Sequence, residues 1–106
     1  MHQAESRSVG PSLTAIKSAT AAAFSVTQQD IMSLRRHREV VEARFAAYWL
    51  ARRLTPMSLP QIGRAFGDRD HTTIMNGLAR VPGMRESVPG FGARLALAES
   101  LIDGEG

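Results

Sequence analysis

The run Arg69-Asp70-His71-Thr72-Thr73, followed by Asn76 and Arg80, sets short hydrogen-bonding side chains among arginines. As a catalytic set it fails, because no nucleophile and no second carboxylate is arranged around His71, so no enzyme is expected. As a recognition surface it has a definite chemistry. Asn pairs with the N6/N7 edge of adenine, Asp accepts from cytosine N4, and Thr offers a hydroxyl and a methyl contact for thymine. Arginine's planar fork suits guanine edges and phosphates better than lysine's point charge does. With Ile74, Leu78 and Val81 facing inward, a step of about 100° per residue puts Arg69, Thr72, Thr73, Asn76 and Arg80 on the opposite side of one helix. Asp70 and His71 then lie at the helix N-terminus, whose free N–H groups suit a phosphate. On these residues alone, Asp70 and the threonines could equally serve only to cap and solubilise the helix.

The elements that must position this array are all helical. Ser58-Leu-Pro-Gln61 is a capping box with Pro60 tolerated in the first turn, and the helix it opens is expected to end near Phe66. Gly67 supplies a turn, and a second helix runs from about Asp68 or Asp70 to Val81, where Pro82-Gly83 stops it. Two short helices joined by a tight glycine turn make a helix-turn-helix pattern. Upstream, Glu39 to Leu54 is strongly periodic, with Val40, Ala43, Ala47, Leu50, Ala51 and Leu54 in one apolar stripe. Before it comes the basic break Arg35-Arg36-His37-Arg38, and before that a short helix capped at Thr27 and ending near Leu34. A first helix spans Ser12 to about Phe24, and a last one follows Pro89-Gly90 to about Ile102. The expected fold is a small all-α bundle with one domain over 12–102, a flexible tail over 1–11 and a frayed end over 103–106.

Composition narrows the function classes. A chain of 106 residues with 43% apolar content has room for one modest core. It has no cysteine, and His2, His37 and His71 are too scattered to ligate a metal, so no metal and no cofactor is expected. No stretch has the length of a membrane span, and the small-residue segment 13–26 is interrupted by Lys17, Ser18 and Thr20 and lacks a basic leader. A cytoplasmic protein without a membrane partner is the expectation. The net charge of +3 is unevenly spread: the segment from Arg35 to Arg80 holds nine arginines against four carboxylates, leaving it at +5 and the remainder at −2. High-GC coding favours arginine in general, yet it does not explain this clustering. No G-x-x-x-x-G-K-[ST] phosphate loop occurs, so no nucleotide is expected to bind.

The run from Ser58 to Ile74, above all Arg69-Asp70-His71-Thr72-Thr73, closely resembles the signature of the C-terminal duplex-DNA-binding domain of the bacterial replication initiator DnaA. The segment Ser33 to Arg44 is similar to that domain's basic loop and the start of its long helix. The likeness extends in register from Leu13 to Val81 and more loosely over the last helix. It implies that Arg36 lies at the position that enters the minor groove, that Arg44 contacts DNA from the long helix, and that Pro60 packs on a thymine methyl. It also implies that Asp70, His71, Thr72 and Thr73 contact bases and phosphates. Together with Arg35, Arg38, Ser58, Arg69, Asn76 and Arg80, these form the expected DNA-binding set.

Three departures stand out: Asn76 where the family usually has His, Phe45 where it usually has Gln, and Asp68 where it usually has Gly. The preferred base opposite Asn76 is therefore expected to differ from that of a DnaA box. Without the ATPase the segment can place itself on DNA but cannot melt it alone, and the start at Met1 favours a short natural chain over an excised domain. The chain looks like the DnaA-domain-like regulators of alphaproteobacterial gene transfer agent clusters, which implies transcriptional activation with a second protein that engages RNA polymerase. Alternatives are an origin-binding module of a replication initiator, or its competitor, and a protein-interaction adaptor with a basic surface. Phe45 and Trp49, i,i+4 neighbours off the apolar stripe, are the candidate partner surface if exposed; the alternative is that the first helix covers them.

Overall fold

The computed structural model describes residues 10–105, so nearly all of the tail expected over 1–11, and Gly106, lie outside the described residues. Six helices follow in order: α1 (Leu13–Phe24), α2 (Gln28–Met32), α3 (Arg38–Leu54), α4 (Leu59–Ala65), α5 (His71–Ser87) and α6 (Phe91–Glu105), with no strand among the described residues. The all-α expectation holds. None of these helices is long and apolar enough to cross a membrane.

Short polar side chains fix where the helices begin. Ser12 caps α1 by accepting from the Ala15 amide at 3.0 Å, and Thr27 and Asp30 close a reciprocal capping box at α2. Ser58 and Gln61 do the same at α4, where the Ser58 amide donates to Gln61 Oε1 at 2.8 Å. The central element is α3, which packs against every other helix. Its Ala43, Ala46, Ala47 and Ala51 are fully buried, and such small side chains let neighbouring helices approach closely. Phe24 of α1 meets Phe91 of α6 edge to face at 5.6 Å, and Tyr48 of α3 meets Phe66 at 5.2 Å in the same geometry. Lys17 of α1 donates to the Ala65 carbonyl at 2.7 Å and sits over the Phe66 ring, so the only lysine closes the C-terminal end of α4.

Two terminal expectations are corrected. Pro82-Gly83 does not end α5, which runs on to Ser87 with Val88 as its C-cap. An internal proline costs a helix a hydrogen bond and about 3 kcal/mol. Here Val81 is buried, Met84 and Val88 pack against the core, and the exposed Pro82 and Gly83 lie on the outer side, so tertiary packing carries the helix through. Likewise α6 continues to Glu105 rather than fraying after Ile102, which is itself buried.

Candidate nucleic-acid interface

Between α4 and α5 the chain turns through Phe66, Gly67, Asp68 and Arg69. Gly67 has φ +88°, a conformation that side-chain-bearing residues rarely adopt, and a Cβ there would lie 2.9 Å from the Met32 carbonyl oxygen. Asp68 is also left-handed at φ +59°. The turn delivers Asp70 to the N-cap of α5, where its carboxylate accepts from the Thr72 amide at 2.9 Å and lies 3.1 Å from His71 Nδ1. That donated N–H favours the charged form and holds the Asp70 carboxyl below its ordinary range. Both contacts involve Oδ1, and the side chain is exposed. Asp70 can therefore cap the helix and still present an acceptor outward.

The phasing read from sequence is reproduced along α5. Ile74 and Val81 are fully buried and Leu78 is half-buried, while His71, Thr72, Thr73, Asn76 and Arg80 are exposed. On the facing side, Arg35, Arg36, His37 and Arg38 are all exposed in the α2–α3 connection and the first residue of α3. The fold brings these segments together. Arg36 and Thr73 line one cleft of about 380 Å³, and Arg36, Arg38 and Arg80 line a neighbouring one of about 420 Å³. Ser58 and Pro60 are exposed at the start of α4 and line neither cleft.

Two of the expected contact residues are turned inward. Arg44 is only 6% exposed: its Nε donates to the Ile31 carbonyl at 3.1 Å, and Nη2 donates to the carbonyls of Asp30 at 3.2 Å and Arg35 at 3.0 Å. Burial, reinforced by the nearby charge of Arg69, pulls its pKa down. Arg69 is half-buried, with Nε donating to the Phe66 carbonyl and Nη2 to that of Ser33. Together they pin the backbone of the basic loop from below. The sequence carried a signal for Arg44 that the resemblance masked: it stands four residues after Val40 and three before Ala47, inside the apolar stripe. For Arg69, which precedes its helix, no periodicity could give the direction. Phe45 and Trp49 are not an exposed pair either. Both are half-buried, and Phe45 lies against α5, where its ring would contact any Cβ on Gly77, so α5 rather than α1 covers it.

Residues 13–81 match the family model described as the bacterial dnaA protein helix-turn-helix. The chain belongs to this family. The DnaA-type helix-turn-helix is 49% identical over 70 residues to the chromosomal replication initiator protein DnaA of Caulobacter vibrioides, a match that covers 66% of this chain and 14% of that protein. It is 48% identical over 66 residues to the protein of the same name from Bartonella quintana (62% of this chain, 13% of that one). With its counterpart from Brucella abortus the identity is 39% over 80 residues (76% and 16%). The matched stretch is thus about a seventh of the length of these relatives. The residues past Val81, which carry the rest of α5 and all of α6, lie outside the DnaA-type family match.

Proposed function

We propose that this chain binds double-stranded DNA sequence-specifically, with the start of α5 in the major groove and the basic loop in the adjacent minor groove. The observation that carries the reading is that Arg36 of the loop and Thr73 of α5 line one cleft, so a single duplex can meet both. Around them lie exposed Arg35, Arg38 and Arg80 for phosphates, and Asp70, His71, Thr72 and Asn76 for base edges. In this reading the protein is a cytoplasmic transcriptional activator that acts with a second protein able to contact RNA polymerase, and it carries no catalytic step of its own. The high identity to replication initiators favours a second reading, an origin-binding module or a competitor for its sites.

Selection of bound sites from random duplexes tests both. An enriched motif supports specific binding, and its resemblance to a DnaA box or to a promoter element separates the two roles. Recovery of no motif sinks the proposal. Within an enriched motif, Asn76→Ala relaxes the requirement at one base pair by about 1–3 kcal/mol, roughly five- to 150-fold, and Asn76→His shifts preference toward a DnaA box. A loss spread equally over all sequences would instead assign Asn76 to the phosphate backbone.

A further inference from the structure

Helices α3 and α5 approach at Gly77, where a Cβ would lie 2.9 Å from the Phe45 ring. Beside that contact a groove of about 420 Å³ opens between them. One wall is Arg38, Val41, Glu42 and Phe45, which recur every three or four residues on one face of α3. The other is Arg80, Met84 and Val88 of α5 and its C-cap, spaced in the same way. Val41, Phe45, Met84 and Val88 are half-buried and make an apolar stretch, while Arg36, Arg38 and Arg80 are exposed around it. Glu42 is the one carboxylate in this lining, and it is only 8% exposed. Although three arginines line the same groove, Glu42 is in no ion pair among the described residues. A carboxylate withdrawn from water without a cation or donor beside it costs folding free energy. Its surroundings therefore suit a ligand that donates to it.

We infer that this groove binds a guanine nucleotide, with the base edge on Glu42, the purine ring against Phe45 and the phosphates on the arginines. One molecule has to satisfy three kinds of wall. An ionised carboxylate takes only donors. Guanine offers its two oxygens an adjacent pair, N1–H and the N2 amino group, whereas adenine offers the N6 amino group alone. A flat base stacks on an aromatic ring, and guanidinium forks match phosphate oxygens. The groove's volume falls within the range of about 300–1,000 Å³ usual for small-molecule sites. Side chains hold the nucleotide here, in place of the glycine-rich phosphate loop that the sequence lacks and on which the expectation of no nucleotide was based. Arg36, Arg38 and Arg80 are also the arginines assigned above to DNA. On that reading, nucleotide and duplex compete for them.

The test begins with DNA-free protein, so its outcome does not depend on the DNA-binding reading. Calorimetric titration compares GDP, ADP and inorganic pyrophosphate at one ionic strength. GDP binds with a dissociation constant on the order of 100 µM, and about tenfold more tightly than ADP, the worth of one charge-assisted hydrogen bond. Glu42→Gln removes that preference. It also creates one for xanthosine diphosphate, whose N1–H and O2 match the acceptor and donor of an amide. A variant that had merely lost its fold could not gain a ligand in this way. Arg80→Gln weakens GDP and ADP alike by several-fold. No binding of GDP at millimolar concentration would overturn the inference. So would equal affinities for GDP, ADP and pyrophosphate, which would reduce the groove to a basic surface, or a base preference unchanged by Glu42→Gln. Competition is read separately: saturating GDP lowers duplex affinity several-fold in wild type and not in Glu42→Gln, and unchanged duplex affinity would overturn the competition. A chain that binds GDP but no duplex would overturn the DNA reading and support the groove.

Discussion

Arg36 and Arg44 look alike in the sequence and do opposite things in the fold. Arg36 is exposed on the loop, while Arg44 is buried under it with three carbonyls as acceptors. Arg44→Met strips the carbonyls of Ile31, Asp30 and Arg35 of their donors, and orphaned buried acceptors are expensive. Urea denaturation should show a loss of about 2–4 kcal/mol. Arg36→Ala should leave stability within about 0.5 kcal/mol of wild type. It should weaken duplex binding nonetheless, most on sites with an A·T-rich flank whose narrow minor groove attracts arginine. Equal stability of the two variants would remove Arg44 from its role as the pin of the loop. At the same scale, Asp30 and Asp70 are both held below the ordinary carboxyl value of 3.8, chiefly by the backbone N–H groups of Thr27 and Thr72 that they accept from. A lowered folded-state pKa adds stability that is present above the ordinary value and lost as pH falls through the folded-state value. Unfolding experiments below about pH 4 should therefore show stability dropping, and the Asp30→Asn, Asp70→Asn double variant should show a shallower drop. An unchanged pH slope in the double variant would mean that other carboxylates dominate acid unfolding.

Helix α5 is where element-scale forces can be told apart, because two glycines in it face opposite surroundings. A Cβ on Gly77 would lie 2.9 Å from the Phe45 ring and 3.0 Å from the Tyr48 ring, so α5 approaches α3 only because this residue lacks a side chain. Gly83 meets nothing within 4 Å. Gly77→Ala should destabilise by about 1–3 kcal/mol through overpacking. Gly83→Ala should stabilise by about 0.5–1 kcal/mol through helix propensity alone. Paired urea titrations read both, and a destabilising Gly83→Ala would mean that α5 does not continue past Pro82. That continuation also marks the limit of what the sequence conveyed. The capping boxes at Thr27 and Ser58, the Gly67 turn and the face of α5 carrying Ile74 and Val81 were legible because each depends on neighbours within one or two turns. The passage through Pro82-Gly83 was not, because it depends on Met84 and Val88 reaching the core. The inward fate of Arg69 was hidden for the same reason, since its acceptor on Ser33 lies far away in sequence.

At the scale of the whole molecule, nine arginines between Arg35 and Arg80 are sorted by the fold into different roles. Arg44 and Arg69 hold the loop, Arg52 donates to the Met57 carbonyl, and Arg53 lies 3.7 Å from Glu99 of α6. Arg35, Arg36, Arg38, Arg64 and Arg80 are exposed, and three of them line a common cleft. Each phosphate neutralised on B-DNA contributes about −0.9 to the slope of log affinity against log salt. If the uneven charge of the sequence acted as one undivided basic patch, nine contacts would give a slope of about −8. The five exposed arginines on or near the loop and the α4–α5 pair give about −4 to −5 instead. Affinity for one duplex measured across a range of salt concentrations distinguishes the two. A slope near −8 would mean that Arg52, Arg53 and the inward-turned Arg44 and Arg69 all reach the backbone on binding as well. A slope near zero would separate the basic segment from the DNA surface altogether. The intermediate value is expected because a guanidinium whose donors are spent on carbonyls of its own chain has to break those bonds before it can reach a phosphate.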